Sequence, residues 1–112
     1  MIEQGFGGML FFLLVGHYLA DFPLQSEFVV AAKNRNTEIG RLYWPHALFG
    51  HSLIHGGFVA FITGHLLLGV LETCAHGLVD WLKCENKISF NQDQLIHLAC
   101  KLVWCVLVLI WP

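Results

Sequence analysis

The sequence predicts an all-α fold, a four-helix transmembrane bundle, and three observations carry that prediction. Of 112 residues, 56% are hydrophobic and only 12% charged, with a mean hydropathy of +0.63, whereas a soluble domain carries about 25% charged residues. The apolar residues fall into runs that approach the ~20 residues a helix needs to span a bilayer. The polar residues inside those runs recur four apart, which places them on one helical face.

The chain is long enough for one integral membrane domain, 1–112. The first helix is expected over about 5–22. Pro23 ends it, since proline cannot continue the hydrogen-bond ladder and restrains the residue before it. A polar connection, 23–44, follows, with a short surface helix over Glu27–Lys33 and an exposed loop at Asn34, Arg35, Asn36 and Thr37. The apolar stretch from Pro45 to Leu82 is nearly twice a span in length. Cut near Thr63, Gly64 and His65, it yields helices over about 45–62 and 66–83. Cys84 to Gln92 forms a loop in which Ser89 or Asn91 caps a fourth helix, about 93–111. Trp104 and Trp111 read as interface anchors.

Lys33, Arg35 and Arg41 lie in the first polar connection, and Lys83 and Lys87 at the last. The positive-inside rule makes that side cytoplasmic, giving a multi-pass inner-membrane protein with both termini outside. A cleaved leader is not expected, because Glu3 and no early Lys or Arg precede the first apolar run. The net charge of -2 excludes a nucleic-acid footprint. Membrane lipids are the expected partners, and a homo-oligomer is compatible with the sequence. Cys74, Cys84, Cys100 and Cys105 form no Cys-x-x-Cys pair and read as small apolar residues.

Each predicted helix carries a polar pair at helical spacing: His17 and Asp21; His51 and His55; His76 and Asp80, with Glu72 one turn away; Asp93 and His97, with Lys101 one turn on. With alternating helix directions, all four pairs fall near the cytoplasmic ends. Imidazoles and carboxylates on facing helices are how bundle metal sites are built. The expected cofactor is one or two divalent ions, with zinc, manganese or iron suited to such donors. Nine candidate ligands follow: His17, Asp21, His51, His55, Glu72, His76, Asp80, Asp93 and His97. They exceed the four of a closed zinc site, so two ions, one ion with supporting residues, or internal pairing all remain open. Glu72 and Lys101 are expected at similar depth as an ion pair, since either charge alone is costly there. His65 falls at the opposite end and His46 at the interface. Gln25 and Gln94 lie near the cluster mouth, with capping or loop roles expected. His-x3-Asp in the first and third helices also fits two pseudo-repeated hairpins.

On His17-x3-Asp21-Phe22-x2-Gln25, the histidines of the second helix, Glu72-x3-His76-x3-Asp80-x2-Lys83 and Asp93-Gln94-x2-His97, the chain resembles an uncharacterised family of small bacterial and phage inner-membrane proteins. It is more loosely similar to membrane-bound metal-dependent hydrolases. A metal-dependent hydrolase is the first function expected: an ion activates water, Asp80 or Asp93 is the catalytic base, and the position at the inner edge of the bilayer suits a lipid or lipid-linked phosphate as substrate. Ion or proton transport is the alternative, although the outer halves of the helices are nearly all apolar. Haem ligation by paired histidines leaves the carboxylates unexplained. A non-enzymatic protein with a structural polar cluster is the remaining reading.

Overall fold

The computed structural model describes residues 5–112 and contains five helices, with no strand among the described residues. They are α1 (Phe6–Asp21), α2 (Glu27–Ala32), α3 (Gly40–Thr63), α4 (Leu66–Cys84) and α5 (Phe90–Ile110). Glu3, on which the reading of the N-terminus rests, lies outside the described residues. The four long helices run alternately up and down the long axis of a 45 × 23 × 22 Å body. α1 packs on α3 and α5, and α4 on α3 and α5, so α1 and α4 face each other diagonally. The short α2 lies against α3.

Local chemistry sets the ends. Ser26 caps α2 by accepting from the Val29 amide, and Ser89 opens α5 with Gln92 in a reciprocal capping box. α3 closes on Gly64 in the left-handed conformation (φ 75°), which glycine adopts without a Cβ penalty. α3 begins five residues before the expected start at Pro45, and the proline sits inside the helix. The Thr37 hydroxyl accepts from the Gly40 amide at 2.9 Å and organises that extra turn. Only glycine fits there, because a Cβ on Gly40 would stand 1.7 Å from the Asn34 carbonyl oxygen. α3 and α4 make the closest approach, where Gly69 backs onto Ala60 and the Gly56 carbonyl.

The distribution of polarity is inverted. Leu13, Val59, Ile62, Leu68, Trp104 and Cys105 form the apolar core at one end of the bundle. Much of the remaining interior is polar: His17, His51, His55, Glu72, His76, Asp80, Asp93, His97 and Lys101 are each at most 3% exposed. Large apolar side chains cover the outside, among them Phe11, Phe61, Leu66, Leu67, Leu109 and Ile110.

Four membrane spans were expected. Among the described residues, one helix, Phe90–Ile110, is long and apolar enough to cross a membrane, and Phe6–Asp21 is apolar but shorter. The reason lies in the interior. α3 carries the buried His51 and His55, and α4 the buried Glu72 and Asp80, which lower the apolarity of the helices that hold them. Trp104 is a second correction: it is buried, and its indole N–H donates to Glu72 Oε1 at 2.8 Å. Trp111 is exposed, and the four cysteines are free.

Candidate metal centre

The C-terminal turn of α1 brings His17 and Asp21 to the level of His51 and His55 on α3, His76 and Asp80 on α4, and Asp93 and His97 on α5. The fourfold spacing turns each pair inward, because residues four apart share a helix face. Asp21 is the hub. Its Oδ1 lies 2.8 Å from Nε2 of His55 and 3.2 Å from Nε2 of His51, and its Oδ2 lies 3.4 Å from Nε2 of His17. His55 and His76 stack, with ring centroids 3.6 Å apart, and His76 stacks in turn on His97 at 4.2 Å.

Among the described residues, two groups have donor atoms mutually within 4.8 Å: Asp21 with His51, His55 and His76, and Glu72 with His76 and His97. They are close enough to hold a metal ion and share His76. Both ring nitrogens of His76, Nδ1 of His17, His51 and His55, and Glu72 Oε2 are buried with no hydrogen-bond partner. Buried polar atoms are almost always paired, so a cluster of orphaned nitrogens and a carboxylate oxygen suits a group that accepts lone pairs.

Charge separates the two groups. The first combines one carboxylate with three imidazoles, the donor count of a tetrahedral site. In the second, the Lys101 ammonium lies 2.9 Å from Glu72 Oε1, and Trp104 donates to the same oxygen. Lys101 is 1% exposed, so its charge cannot be screened by water. A cation beside it would meet direct repulsion from that ammonium. Glu72 Oε2 lies 3.7 Å from His76 Nδ1, too far for a hydrogen bond.

The remaining candidates surround these groups. His97 lies 3.1 Å from Asp93 Oδ1. His17 lies 3.0 Å from Gln94 Oε1, while the Gln94 amide donates to Asp21 Oδ2 at 2.9 Å and to Asp93 Oδ2 at 3.3 Å. Asp80 Oδ2 stands 3.8 Å from Nε2 of both His51 and His76. Lys33 at 2.7 Å and Lys83 at 3.3 Å hold it from the other side.

Sequence reasoning missed two residues here. Gln94 is an internal bridge among three polar groups rather than a cap or loop residue. Lys33 closes the exposed-loop side of α2, yet it is 3% exposed and bonds both Gln25 Oε1 and Asp80. A loop clamp carries it there. Arg35 pairs with Glu85 through two hydrogen bonds, lies over the Trp81 ring, and is followed by Asn36, whose amide donates to Glu85 and to the Cys84 carbonyl. Arg35 and Asn36 hold Glu85 at a pKa of about 2, below its ordinary value of 4.5. His46 is exposed at the flank of α3, and His65 precedes α4 at the far end.

A family model described as "Protein of unknown function (DUF3307)" matches residues 9–111, a span that contains every residue of the centre. No curated protein and no solved structure matches the chain.

Proposed function

The chain belongs to the DUF3307 family of proteins of unknown function, and from that premise we propose that it is an integral membrane metal-binding protein. We read it as a metal-dependent hydrolase at the cytoplasmic edge of the bilayer, acting on a lipid or lipid-linked phosphate. The observation that carries the proposal is the convergence of Asp21, His51, His55 and His76, with donor atoms within 4.8 Å and ring nitrogens left unpaired. One divalent ion at this group accounts for the donor set. A purely structural cluster would pair its polar groups internally, and it does not explain the orphaned nitrogens.

The membrane setting is supported by the inverted polarity. Contiguous apolar surface on this scale is rare on monomeric soluble proteins, and the buried ionisable groups are those that face a bundle interior in lipid. α5 has the length and composition of a span. In this reading the other long helices cross with it and carry their polar residues inward. The basic residues at the α2 and α4 ends support a cytoplasmic setting for the centre.

A divalent ion at the centre would lower the pKa of a water it binds and polarise a phosphoryl oxygen. The chain's own residues would do the rest. Of the two expected bases, we assign Asp80 by position, since its Oδ2 is 3.8 Å from two ligand nitrogens, whereas Asp93 faces His97. It would take the water's proton as the oxygen attacks phosphorus, and the P–O ester bond would break with the proton passing to the leaving oxygen. The test is hydrolysis of a short-chain phosphatidate by purified, metal-loaded protein. Chelation should abolish it and added metal restore it. The double variant Lys33→Gln, Asp80→Asn, which removes the base without stranding the buried ammonium, should lose about 100-fold or more while keeping its metal. Turnover that survives chelation would exclude the hydrolase reading.

A further inference from the structure

We propose that the cavity beside Asp21 is a phosphate-recognition site, in which Lys83 binds the anionic oxygens of a substrate whose apolar part lies along Phe22 and Phe90. The proposal rests on the metal reading above.

Only one member of the four-donor group faces outward. The Asp21 side chain is 9% exposed, whereas His51, His55 and His76 are at most 3% exposed. The opening at Asp21 is a cavity of about 370 Å³, also lined by Gln25, Lys33, Lys83, Phe22 and Phe90. That volume falls in the range of small-molecule sites and holds about a dozen waters at ~30 Å³ each. It is large enough for a phosphoryl group and part of its substituent.

Charge decides what it takes. Lys33 and Lys83 share a single close carboxylate, Asp80, at 2.7 and 3.3 Å. Lys33 is buried and held by Gln25 as well. Lys83 is loosely engaged: its side chain is 26% exposed, and its second carboxylate, Asp93, is 4.0 Å away. Its ammonium stands on a flexible stem beside the open edge of the metal group. Lys33 and Lys83 balance Asp80 and Asp93 in charge, so the ion decides the sign: a divalent ion on the single Asp21 carboxylate leaves a positive face for an oxyanion. Without the ion, Asp21 leaves the cavity net negative. Anion binding is thus conditional on metal. Lysine recognises phosphate as a point charge, and Phe22 and Phe90, both more than half exposed, supply an apolar wall continuous with the outer surface of the bundle. The same phosphate chemistry could come from a lipid headgroup or from a soluble ester.

The test uses the full chain in detergent, loaded with Co(II), whose visible absorption reports occupancy and whose paramagnetism broadens a nearby phosphorus resonance. Inorganic phosphate and a short-chain phosphatidate are the two probes. Both should be broadened by the Co(II) protein and neither by the metal-free protein. Lys83→Gln should weaken phosphate binding about tenfold, the loss of one charge-assisted contact, with the Co(II) spectrum unchanged, and Lys83→Arg should restore most of it. Phosphatidate bound at least tenfold more tightly than phosphate assigns a lipid source, and equal binding assigns a soluble ester. A normal Co(II) spectrum without broadening, or broadening unaffected by Lys83→Gln, overturns the phosphate site and leaves the metal centre standing. Absence of the Co(II) bands overturns both.

Discussion

Asp21 Oδ1 lies 2.8 Å from His55 Nε2, joining the last turn of α1 to the middle of α3 across 34 residues of chain. This contact places a carboxylate at the open edge of an otherwise imidazole group. Gln94 reaches the same carboxylate from α5, so three helices meet on one side chain.

Gln94 orients Asp21 and His17 without being a ligand. Gln94→Ala should lower metal affinity by about 10- to 100-fold, the usual loss when an outer partner of a ligand is removed. Competition with a chromophoric chelator measures it. Gln94→Glu should not rescue the loss, since a carboxylate cannot donate to Asp21 and Asp93 and repels both.

The Glu72–Lys101 pair is buried on both sides. Lys101→Met should destabilise the protein by about 3–5 kcal/mol, because it leaves Glu72 charged and unpaired. Adding Glu72→Gln should recover most of that loss, since the amide oxygen can still accept from Trp104. Reversible denaturation in mixed micelles compares the three proteins.

Gly69 and Gly57 differ only in surroundings. A Cβ at Gly69 would stand 2.6 Å from Ala60 Cβ and 2.7 Å from the Gly56 carbonyl oxygen, while Gly57 has nothing within 4 Å. Gly69→Ala should force α3 and α4 apart, cost about 1–3 kcal/mol, and weaken metal binding by separating His55 from His76. Gly57→Ala should be neutral or stabilising by up to about 1 kcal/mol. Thermal midpoints and metal titrations on both variants check the contrast.

The loop clamp gives a pH window. Glu85 has a folded pKa of about 2 against an ordinary 4.5, so its contribution to stability is present above pH 4.5 and is lost as pH falls from 4.5 through 2. The thermal midpoint of Glu85→Gln should therefore approach that of the parent protein as pH drops through this window. A difference between the two that is constant from pH 6 to pH 2 would contradict the assignment.

The sequence revealed the interior better than the ends. His17, His51, His55 and His76 were legible because fourfold spacing survives any shift of helix boundary, and alternating directions fix their depth. The start of α3 was not, because Pro45 is the stronger local signal. It is overridden by a Thr37 hydrogen bond and by a close approach that only Gly40 permits. Lys33 reads as a loop cation, since its burial depends on the Arg35–Glu85 clamp between residues 50 apart. Trp104 looks like an interface anchor because its apolar neighbours hide its partner, Glu72, which lies on another helix. Long-range pairing of this kind leaves no periodic trace.

The central claim is one divalent ion per chain, held by Asp21, His51, His55 and His76. Metal content by mass spectrometry on detergent-purified protein, compared with His55→Ala, His76→Ala, tests it most directly. The parent protein should carry about one ion per chain and the variant less than about 0.1, because binding depends on the preformed donor set. Less than about 0.1 ion in the parent protein, or full occupancy retained in the variant, would contradict it.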